Sequence, residues 1–319
     1  MATIFFKRPV NYSDKDKEIF YFVDDTENVL EPGIRVVRNS FFHVVTATFL
    51  NSGFKNYLKI ILAFFGIRYK RRRISSACVF VTDHYSHNYY HWLCEALPKL
   101  LLLREKGLNS LVVLPERYKA INYVSESLNS LGWSSAYFSE NTILQASLAY
   151  IPEATARSGS QHPLYFTKSI QLLTDKNVNG GLLPESKIIF ISRQNTVTRR
   201  LVNWDEIKEI LDNYKVKIVN LENYTLRAQI QLLHSTEILI GVHGAGLTNM
   251  CFMKKGASVV EIRRKDDRLN YCYFKLANTC ELAYYYLLAD GSGKSQNIQQ
   301  DDLYLPPQTL KTLLKDTLL

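Results

Sequence analysis

The stretch from Glu237 to Ile262, EILIGVHGAGLTNMCFMKKGASVVEI, limits the fold of this chain more than any other segment. It predicts a buried strand up to Val242, the loop His243–Gly246, a short helix from Leu247 and a second buried strand from Ser258. A strand–loop–helix–strand unit of this kind builds a parallel sheet. Ligands of such sheets bind beyond the carboxyl ends of the strands, so the loop is predicted to face a ligand.

The loop His243–Gly246 has the residue types of an anion site. Its glycines let the backbone approach a ligand closely, and free N–H groups at the start of the following helix favour a negative charge. Glycine in such a turn is often present for steric reasons alone. The polar residues His243, Asn249 and Glu261 favour a nucleotide site over that simpler interpretation.

Arginines follow another predicted strand, Lys187–Ser192, in the same half of the chain. Arg193, Arg199 and Arg200 suit bidentate binding of a diphosphate. Taken alone, a solvated basic loop is the commoner explanation of such a run. Asn203 begins a sequence with capping-box spacing, which predicts the start of a helix.

A second polar region follows the predicted strand Ser76–Thr82. Asn88 is a good helix N-cap, and His91 and Glu95 are four residues apart on one helix face. A carboxylate beside an imidazole at a strand-to-helix junction can take a proton from an incoming hydroxyl. A capped helix with an exposed His–Glu pair explains the same residues about equally well.

The net charge of +9 predicts an anionic partner. The apolar run Tyr57–Ile67 is followed by five basic residues within Arg68–Arg73, and it is too short to cross a bilayer, which takes about 20 residues. A segment lying on an anionic membrane and a buried helix ending in a solvated basic loop are equally supported.

Composition is that of an ordinary globular chain, with 46% apolar and 22% charged residues in 319. The five cysteines form no CxxC or metal-binding pattern, which predicts reduced, buried thiols in a cytosolic protein. The N-terminus shows no secretory signal. The segment Asn177–Pro184 is the best linker, so a boundary is predicted between residues 180 and 181.

These features suit group transfer from a nucleotide-activated donor to an acceptor bound between two αβ halves. The chain has no convincing DxD motif, so arginines and helix N-termini would stabilise the leaving diphosphate. Two other classes fit the basic composition: a non-catalytic or nucleic-acid-binding protein, and a hydrolase or epimerase of a nucleotide sugar.

The segments NYYHWLCEALPKL, ISR(x)5RRLVNWDE and IGVHGAGLTNMCFMKKGASVVEI together resemble glycosyltransferase family 61 over roughly residues 76–290. The resemblance implies an α/β GT-B fold, in which two Rossmann-like domains with parallel sheets face each other across a cleft. It also implies an inverting transfer that needs no cofactor and no metal. Residues 1–180 would form the acceptor-side domain and 181–319 the nucleotide-sugar-binding domain, the last helix being free to pack back on the first.

The same resemblance implies the site residues. Catalysis falls to Glu95, with His91 beside it, and the acceptor side includes Asn88 and His87. The donor site comprises Arg193, Arg199, Arg200, Asn203, His243, Gly244, Ala245, Gly246, Asn249 and Glu261, and Glu261 is expected to bind the ribose. The partners would be a nucleotide-sugar donor and a glycan or lipid-linked acceptor, with no nucleic acid. Such an enzyme is expected in the bacterial cytoplasm, or on the inner face of the inner membrane, making capsule or lipopolysaccharide.

Overall fold

The computed structural model of the chain describes residues 3–17, 19, 26–44, 48–49, 58–62, 65–178, 187–268, 270–295 and 297–315. Contacts divide the chain into two compact units. One unit is Leu30–Lys176, called here the N-terminal unit, and the other joins Met1–Val29 to Asn177–Leu319 and is called the C-terminal unit. Most of the predicted linker, Asn177–Pro184, lies outside the described residues.

The N-terminal unit is built on a mixed six-stranded sheet. Its strands are β3 (Ile34–His43), β4 (Thr48–Phe49), β5 (Lys70–Val79), β6 (Leu111–Pro115), β7 (Ser135–Phe138) and β8 (Thr142–Pro152), in the order β4-β3-β8-β5-β6-β7. Strands β8, β5, β6 and β7 are parallel, whereas β3 pairs antiparallel with both β8 and β4. The sheet is therefore parallel in four of its strands, as the α/β prediction expects, with an antiparallel edge formed by β3 and β4.

The helical segments of the N-terminal unit connect these strands. They are α1 (Tyr89–His91), a π-helical turn (Trp92–Ala96), α2 (Leu97–Glu105), a 3-10 turn (Glu116–Ala120), α3 (Asn122–Ser130) and α4 (Pro163–Asn177). In α2 every residue from Leu97 to Leu103 is buried. This burial explains the leucine-rich run in the sequence, because a helix that is apolar all round is covered on all sides.

The C-terminal unit contains the strand–loop–strand segment that the sequence singles out. Its strands are β9 (Ile188–Ile191), β10 (Lys217–Val219), β11 (Ile238–Val242), β12 (Ser258–Arg264), β13 (Ala283–Gly291) and β14 (Leu303–Tyr304), in the order β10-β9-β11-β12-β13-β14. All pairs are parallel except β13 with β14. The prediction of a parallel sheet is confirmed here.

The helical segments of the C-terminal unit are α5 (Trp204–Asn213), α6 (Leu226–His234), α7 (Cys272–Thr279), α8 (Pro307–Leu313), an early 3-10 turn (Asp14–Asp16) and two later 3-10 segments (Leu221–Asn223, Ala245–Phe252). The segment after the glycine loop is thus a 3-10 helix rather than an α-helix. Leu310 and Leu313 of α8 lie in the same apolar cluster as Phe190 of β9, so the last helix packs on its own unit.

The N-terminal segment of the chain extends the C-terminal sheet. Strands β1 (Thr3–Phe5) and β2 (Thr26–Asn28) form a small antiparallel pair. Between them, the Val10 N–H donates to the Tyr284 carbonyl of β13, and the Asn11 side chain bonds both the N–H and the carbonyl of Tyr286. These bonds explain why residues 1–29 belong with the C-terminal unit, whereas the sequence-based division assigned them to the first domain.

The basic run is not the solvated loop that one of the two sequence interpretations predicted. Residues 58–62 are helical, but Lys70–Arg73 form the first part of β5 and pair with Thr142–Gln145 of β8. The basic residues are therefore on a strand rather than in a loop. None of the helices in the described ranges has the length and apolar character that a bilayer crossing requires.

Candidate functional site

The order of the C-terminal strands locates a ligand site at one edge of the sheet. Five parallel strands, β9 to β13, lie side by side in the order 2-1-3-4-5 when they are numbered along the chain. The chain therefore passes from β9 to β10 on one side of β9 and then continues with β11 on the other side of β9. In open α/β sheets the crevice at such a reversal is where ligands bind. Arg193 follows the end of β9 and His243 follows the end of β11. The fold therefore brings the arginine segment and the glycine loop together.

Arg193 and Arg199 are half-buried neighbours of like charge, called here the arginine pair. Burial and the neighbouring charge of Arg199 lower the pKa of the Arg193 guanidinium to about 10. The Nε atoms of both arginines are buried without a hydrogen-bond partner among the described residues. Arg199 also has a left-handed backbone, with φ 58°, which is uncommon outside glycine. Two neighbouring cations with no carboxylate bonded to either in the described part of the chain are suited to bind a multiply charged anion.

The glycine loop is shaped around Arg193. A Cβ atom added at Gly244 would collide with Nη1 of the Arg193 side chain, so a larger residue here would displace that guanidinium. The backbone of Gly244 is extended and needs no glycine for its own conformation. At Gly246 an added Cβ would lie 3.1 Å from Cγ2 of Ile191, at the end of β9. Both glycines therefore permit close approach between the two loops at the strand ends.

His243 is the first member of a buried network of polar side chains. Its Nδ1 bonds a carboxylate oxygen of Glu261, which is completely buried. The other oxygen of Glu261 accepts a hydrogen bond from the Tyr284 hydroxyl at 2.5 Å and lies 3.6 Å from Nη1 of the buried Arg263. Burial alone raises the pKa of a carboxyl group. The charge of Arg263 and the bonds from His243 and Tyr284 instead hold the pKa of Glu261 below its ordinary value.

This buried network orients the His243 ring. A carboxylate that accepts a hydrogen bond from Nδ1 keeps the proton on that nitrogen, so Nε2 is the nitrogen that can contact a ligand. The Tyr273 ring meets the His243 ring edge to face, with 4.9 Å between the centroids. The expectation that Glu261 binds a ribose directly does not match this geometry, because both of its oxygens face protein groups. Glu261 is placed to position His243.

Four of the other predicted donor-site residues have mainly structural contacts. Arg200 bonds Asp302 through its backbone N–H and its guanidinium. The Asn249 amide donates to the Gly246 carbonyl and holds the turn in which Ala245 lies. The helix start predicted at Asn203 is confirmed, because α5 begins at Trp204, but the Asn203 side chain makes no cap hydrogen bond and instead bonds the N–H and the carbonyl of Leu305.

The N-terminal unit holds the second candidate site beyond the carboxyl end of β5. The Asn88 side chain accepts from the Tyr90 N–H, so the predicted N-cap is confirmed. His91 Nδ1 lies 2.9 Å from Oε2 of Glu95, and Oε1 of Glu95 accepts from the Ser158 hydroxyl at 3.0 Å. Both side chains are partly exposed, at 23% for His91 and 15% for Glu95. A partly exposed carboxylate beside an imidazole has the geometry of a general base.

The helix changes its geometry at this pair. The Leu97 N–H donates to the Trp92 carbonyl, five residues earlier, which makes Trp92–Ala96 a π-helical turn. Such turns are rare and frequently lie at functional sites. The Tyr85 ring lies 5.4 Å from the His91 ring, centroid to centroid. His87 is exposed, its Nδ1 lies 3.1 Å from the His84 carbonyl oxygen, and its own carbonyl accepts from Tyr123.

Several residues of these sites carry no signal in the sequence. Tyr273 lies on α7, Tyr284 on β13 and Ser158 in the loop after β8, each far along the chain from its partner. Arg263 could have been identified from the sequence as the partner of Glu261. It lies two residues after Glu261 on a buried strand, where an arginine needs a buried counter-charge. Side-chain groups arranged to hold a metal ion are absent from the described ranges.

Comparison with known proteins places these sites in a wider context. A family model described as Glycosyltransferase 61 matches residues 89–260, more than half of the chain. The chain is also similar to proteins named EGF domain-specific O-linked N-acetylglucosamine transferase. It is 36% identical to that of Drosophila melanogaster over 94 residues, which is 28% of this chain and 18% of the relative. It is 31% identical to that of Xenopus laevis over 127 residues, which is 38% of this chain and 24% of the relative. The aligned stretches thus span less than a quarter of these curated relatives.

Proposed function

The chain belongs to glycosyltransferase family 61, and from this premise we propose that it moves a sugar from a nucleotide-sugar donor to a hydroxyl of a glycan or lipid-linked glycan. The transfer inverts the anomeric centre and needs no metal or other cofactor. The two units form the domains of a GT-B enzyme, with the donor on the C-terminal unit and the acceptor on the N-terminal unit. Family membership supports the sugar transfer, and the site geometry supports the division of roles.

The observation that carries the proposal is the arginine pair. Arg193 and Arg199 are crowded together with buried Nε atoms, beside a glycine loop at the strand-order reversal. A diphosphate would supply the two negative charges that this crowding requires, and charge-assisted bonds to it are short and strong. Nε2 of His243 faces the same anion in this proposal. A solvated basic loop does not explain buried guanidinium nitrogens.

The proposed chemistry is a single displacement. Glu95 takes the proton from the acceptor hydroxyl, with His91 and Ser158 holding its carboxylate. The acceptor oxygen forms a bond to the anomeric carbon while the bond from that carbon to the diphosphate oxygen breaks. The electron pair goes to the leaving diphosphate, whose growing charge the arginine pair stabilises. The proton on Glu95 passes to solvent after the product leaves.

The proposal has two forms, which differ in the acceptor. In the first form, the acceptor is a glycan of a bacterial surface polysaccharide, such as capsule or lipopolysaccharide. The enzyme then works in the cytoplasm or on the inner membrane. The relatives are EGF domain-specific O-linked N-acetylglucosamine transferases, which favours a second form, in which N-acetylglucosamine is attached to an EGF domain. The aligned stretch of the Xenopus laevis relative covers 38% of this chain. The two forms share the donor site and differ only in the acceptor.

The test has two steps. Thermal shift across nucleotides and nucleotide sugars identifies the donor, since a ligand at about 100 times its Kd adds about 2.7 kcal/mol of stability. Transfer from that donor is then measured with lipid-linked glycans, with free glycans and with an EGF domain, each with and without EDTA. Transfer that persists in EDTA and needs an acceptor is the expected result. Hydrolysis at the same rate without acceptor, or activity that only added Mg²⁺ or Mn²⁺ restores, would overturn the proposal.

A further inference from the structure

An exposed apolar and basic surface lies at one end of the N-terminal sheet. Its apolar members are Leu58, Ile61, Phe65 and Ile67, which are 45%, 51%, 75% and 57% exposed. Its basic members are Arg68 and the run Lys70–Arg73, all of them exposed. These nine residues are called here the apolar–basic edge. Large apolar side chains exposed side by side in this way mark interaction sites in folded proteins.

The apolar–basic edge is anchored to the fold. Ile60, between two of the exposed residues, packs with Ile143 of β8 and against Tyr69. The guanidinium of Arg71 donates to the Gln145 side chain on the neighbouring strand at 2.7 Å. The exposed side chains thus lie on a helical turn, on the bend at residues 65–69 and on the start of β5, next to residues that pack on β8.

The strand arrangement leaves the basic run on an open side of the sheet. Lys70–Ile74 of β5 pair with β8, whereas β6 pairs only with Cys78 and Val79 farther along β5. Exposed lysine and arginine on such an edge also discourage pairing with another chain. That role explains the charges, but it does not explain why Phe65 and Ile67 are exposed beside them.

Charge indicates what the surface contacts. The segment 58–73 contains six basic residues, which are Lys59, Arg68 and Lys70–Arg73, and no aspartate or glutamate. Glu140, whose charge acts on nearby His43, is already paired with Arg117 at 2.7 Å. A surface that combines exposed aliphatic and aromatic side chains with exposed basic ones fits the boundary of an anionic bilayer. Apolar groups enter the acyl region there and cations meet the phosphate groups.

We propose that the apolar–basic edge binds an anionic phospholipid membrane surface. Binding holds the N-terminal unit, which carries Glu95, at the bilayer. If the proposed function holds, this is where a lipid-linked acceptor is found. The membrane contact itself does not depend on the proposed function, because it uses none of the candidate site residues.

The experiment is co-sedimentation with phosphatidylcholine vesicles that contain or lack phosphatidylglycerol. The wild-type protein should sediment with the anionic vesicles only, and less at high salt. Each basic residue near an anionic surface changes the partition coefficient ~fivefold, so the double variant Arg72→Ser with Arg73→Ser should lose more than tenfold. A second variant, Phe65→Ser with Ile67→Ser, should also bind less strongly while keeping the salt dependence.

The matched control removes two exposed charges from the other unit, Lys208→Ser with Lys254→Ser, and should bind like the wild type. Thermal unfolding confirms that all variants fold. Equal sedimentation of the Arg72/Arg73 variant and the control would overturn the proposal, as would a gel shift with nucleic acid in place of vesicle binding. Transfer to a water-soluble acceptor should be unchanged in the Arg72/Arg73 variant, so failure of membrane binding and failure of the proposed function are separate results.

Discussion

At the scale of single residues, Arg193 is a half-buried cation beside the like charge of Arg199, and it has no ion pair with a carboxylate among the described residues. Its lowered pKa, about 10, means that the folded protein holds this proton less tightly than the unfolded chain. The charge therefore costs stability below about pH 10, and the cost falls as the pH rises through that value. A ligand diphosphate would remove this cost by pairing with the guanidinium, so Arg193 is expected to serve binding rather than folding.

The variant Arg193→Met tests this expectation. Loss of a charge-assisted contact of about 1.5–3 kcal/mol should weaken nucleotide binding roughly ten- to hundredfold. The free energy of unfolding without nucleotide should not fall, because a strained charge has been removed. Calorimetric titration and chemical denaturation measure the two quantities, with the exposed Arg227→Met as control. Unchanged nucleotide affinity in a folded Arg193→Met protein would rule out this donor site.

Glu261 is the opposite case, a buried anion that the fold requires. Replacing it by glutamine leaves Arg263 buried without its counter-charge, which typically costs about 3–5 kcal/mol. The lowered pKa of Glu261 means that its stabilising charge is fully present above the pKa of the unfolded chain and lost as the pH falls through the folded value. The Glu261→Gln protein should therefore be less stable at neutral pH and lose less stability on acidification.

Denaturation across the acid range measures both effects. The control is Glu237→Gln, which removes an exposed pair with Lys187 and should cost about 1 kcal/mol or less. Nucleotide binding by Glu261→Gln should weaken as well, because His243 loses the group that orients its ring. If the two glutamine variants have the same stability at every pH, the buried network around Glu261 does not stabilise the C-terminal unit.

At the scale of elements, the helix after β5 joins a capped start, a π-helical turn and a His–Glu pair. Glu95→Gln keeps the hydrogen-bonding shape but cannot accept a proton, so kcat should fall about 10²–10⁴-fold. Nucleotide affinity should stay the same, because the donor site is on the other unit. His91→Ala should lose less activity than Glu95→Gln.

Steady-state kinetics with the identified donor measures these effects. The control is Glu105→Gln, on α2 of the same helical segment. Its carboxylate forms a partly exposed ion pair with Lys168 and is not one of the candidate site residues. A dead His91→Ala beside an active Glu95→Gln would make the histidine the base. If both variants keep full activity, His91 and Glu95 have no catalytic role and are only polar residues on one face of a capped helix.

At the scale of the whole molecule, the first residues of the chain complete the sheet of the C-terminal unit. The Asn11 amide bonds both polar backbone groups of Tyr286. Asn11→Ala should lower the free energy of unfolding of the C-terminal unit by about 1–3 kcal/mol, since two hydrogen bonds of about 1 kcal/mol each are lost. Hydrogen exchange should show the loss in β13, although the substitution is near the N-terminus.

The control for this prediction is Asn223→Ala, an exposed asparagine of the same unit, which should leave β13 protected. If Asn11→Ala leaves exchange in β13 unchanged, the N-terminal segment does not stabilise this sheet. Wild-type protection in β13 combined with weaker protection near Thr3–Phe5 would show that only the small strand pair depends on Asn11.

The sequence by itself determined the features that depend on neighbouring residues. The apolar periodicity of Ile238–Val242 and Ser258–Arg264 predicted parallel strands, and the Asn88 cap and the His91–Glu95 spacing predicted one helix face. The glycine loop was predicted beyond a strand end. These predictions succeed because hydrogen-bond geometry and side-chain period act over a few residues. The resemblance in three motifs also identified the family correctly.

Only the tertiary structure decided which distant groups share a site. It buried Glu261 against His243, Tyr284 and Arg263, turned the Asn203 side chain to the backbone of Leu305, and placed the basic run on a strand. Strand order and side-chain packing set these contacts, and no local pattern records that residues 18 to 102 positions apart will meet. Burial then fixes the chemistry, because a carboxylate removed from water must be satisfied by whatever protein groups surround it.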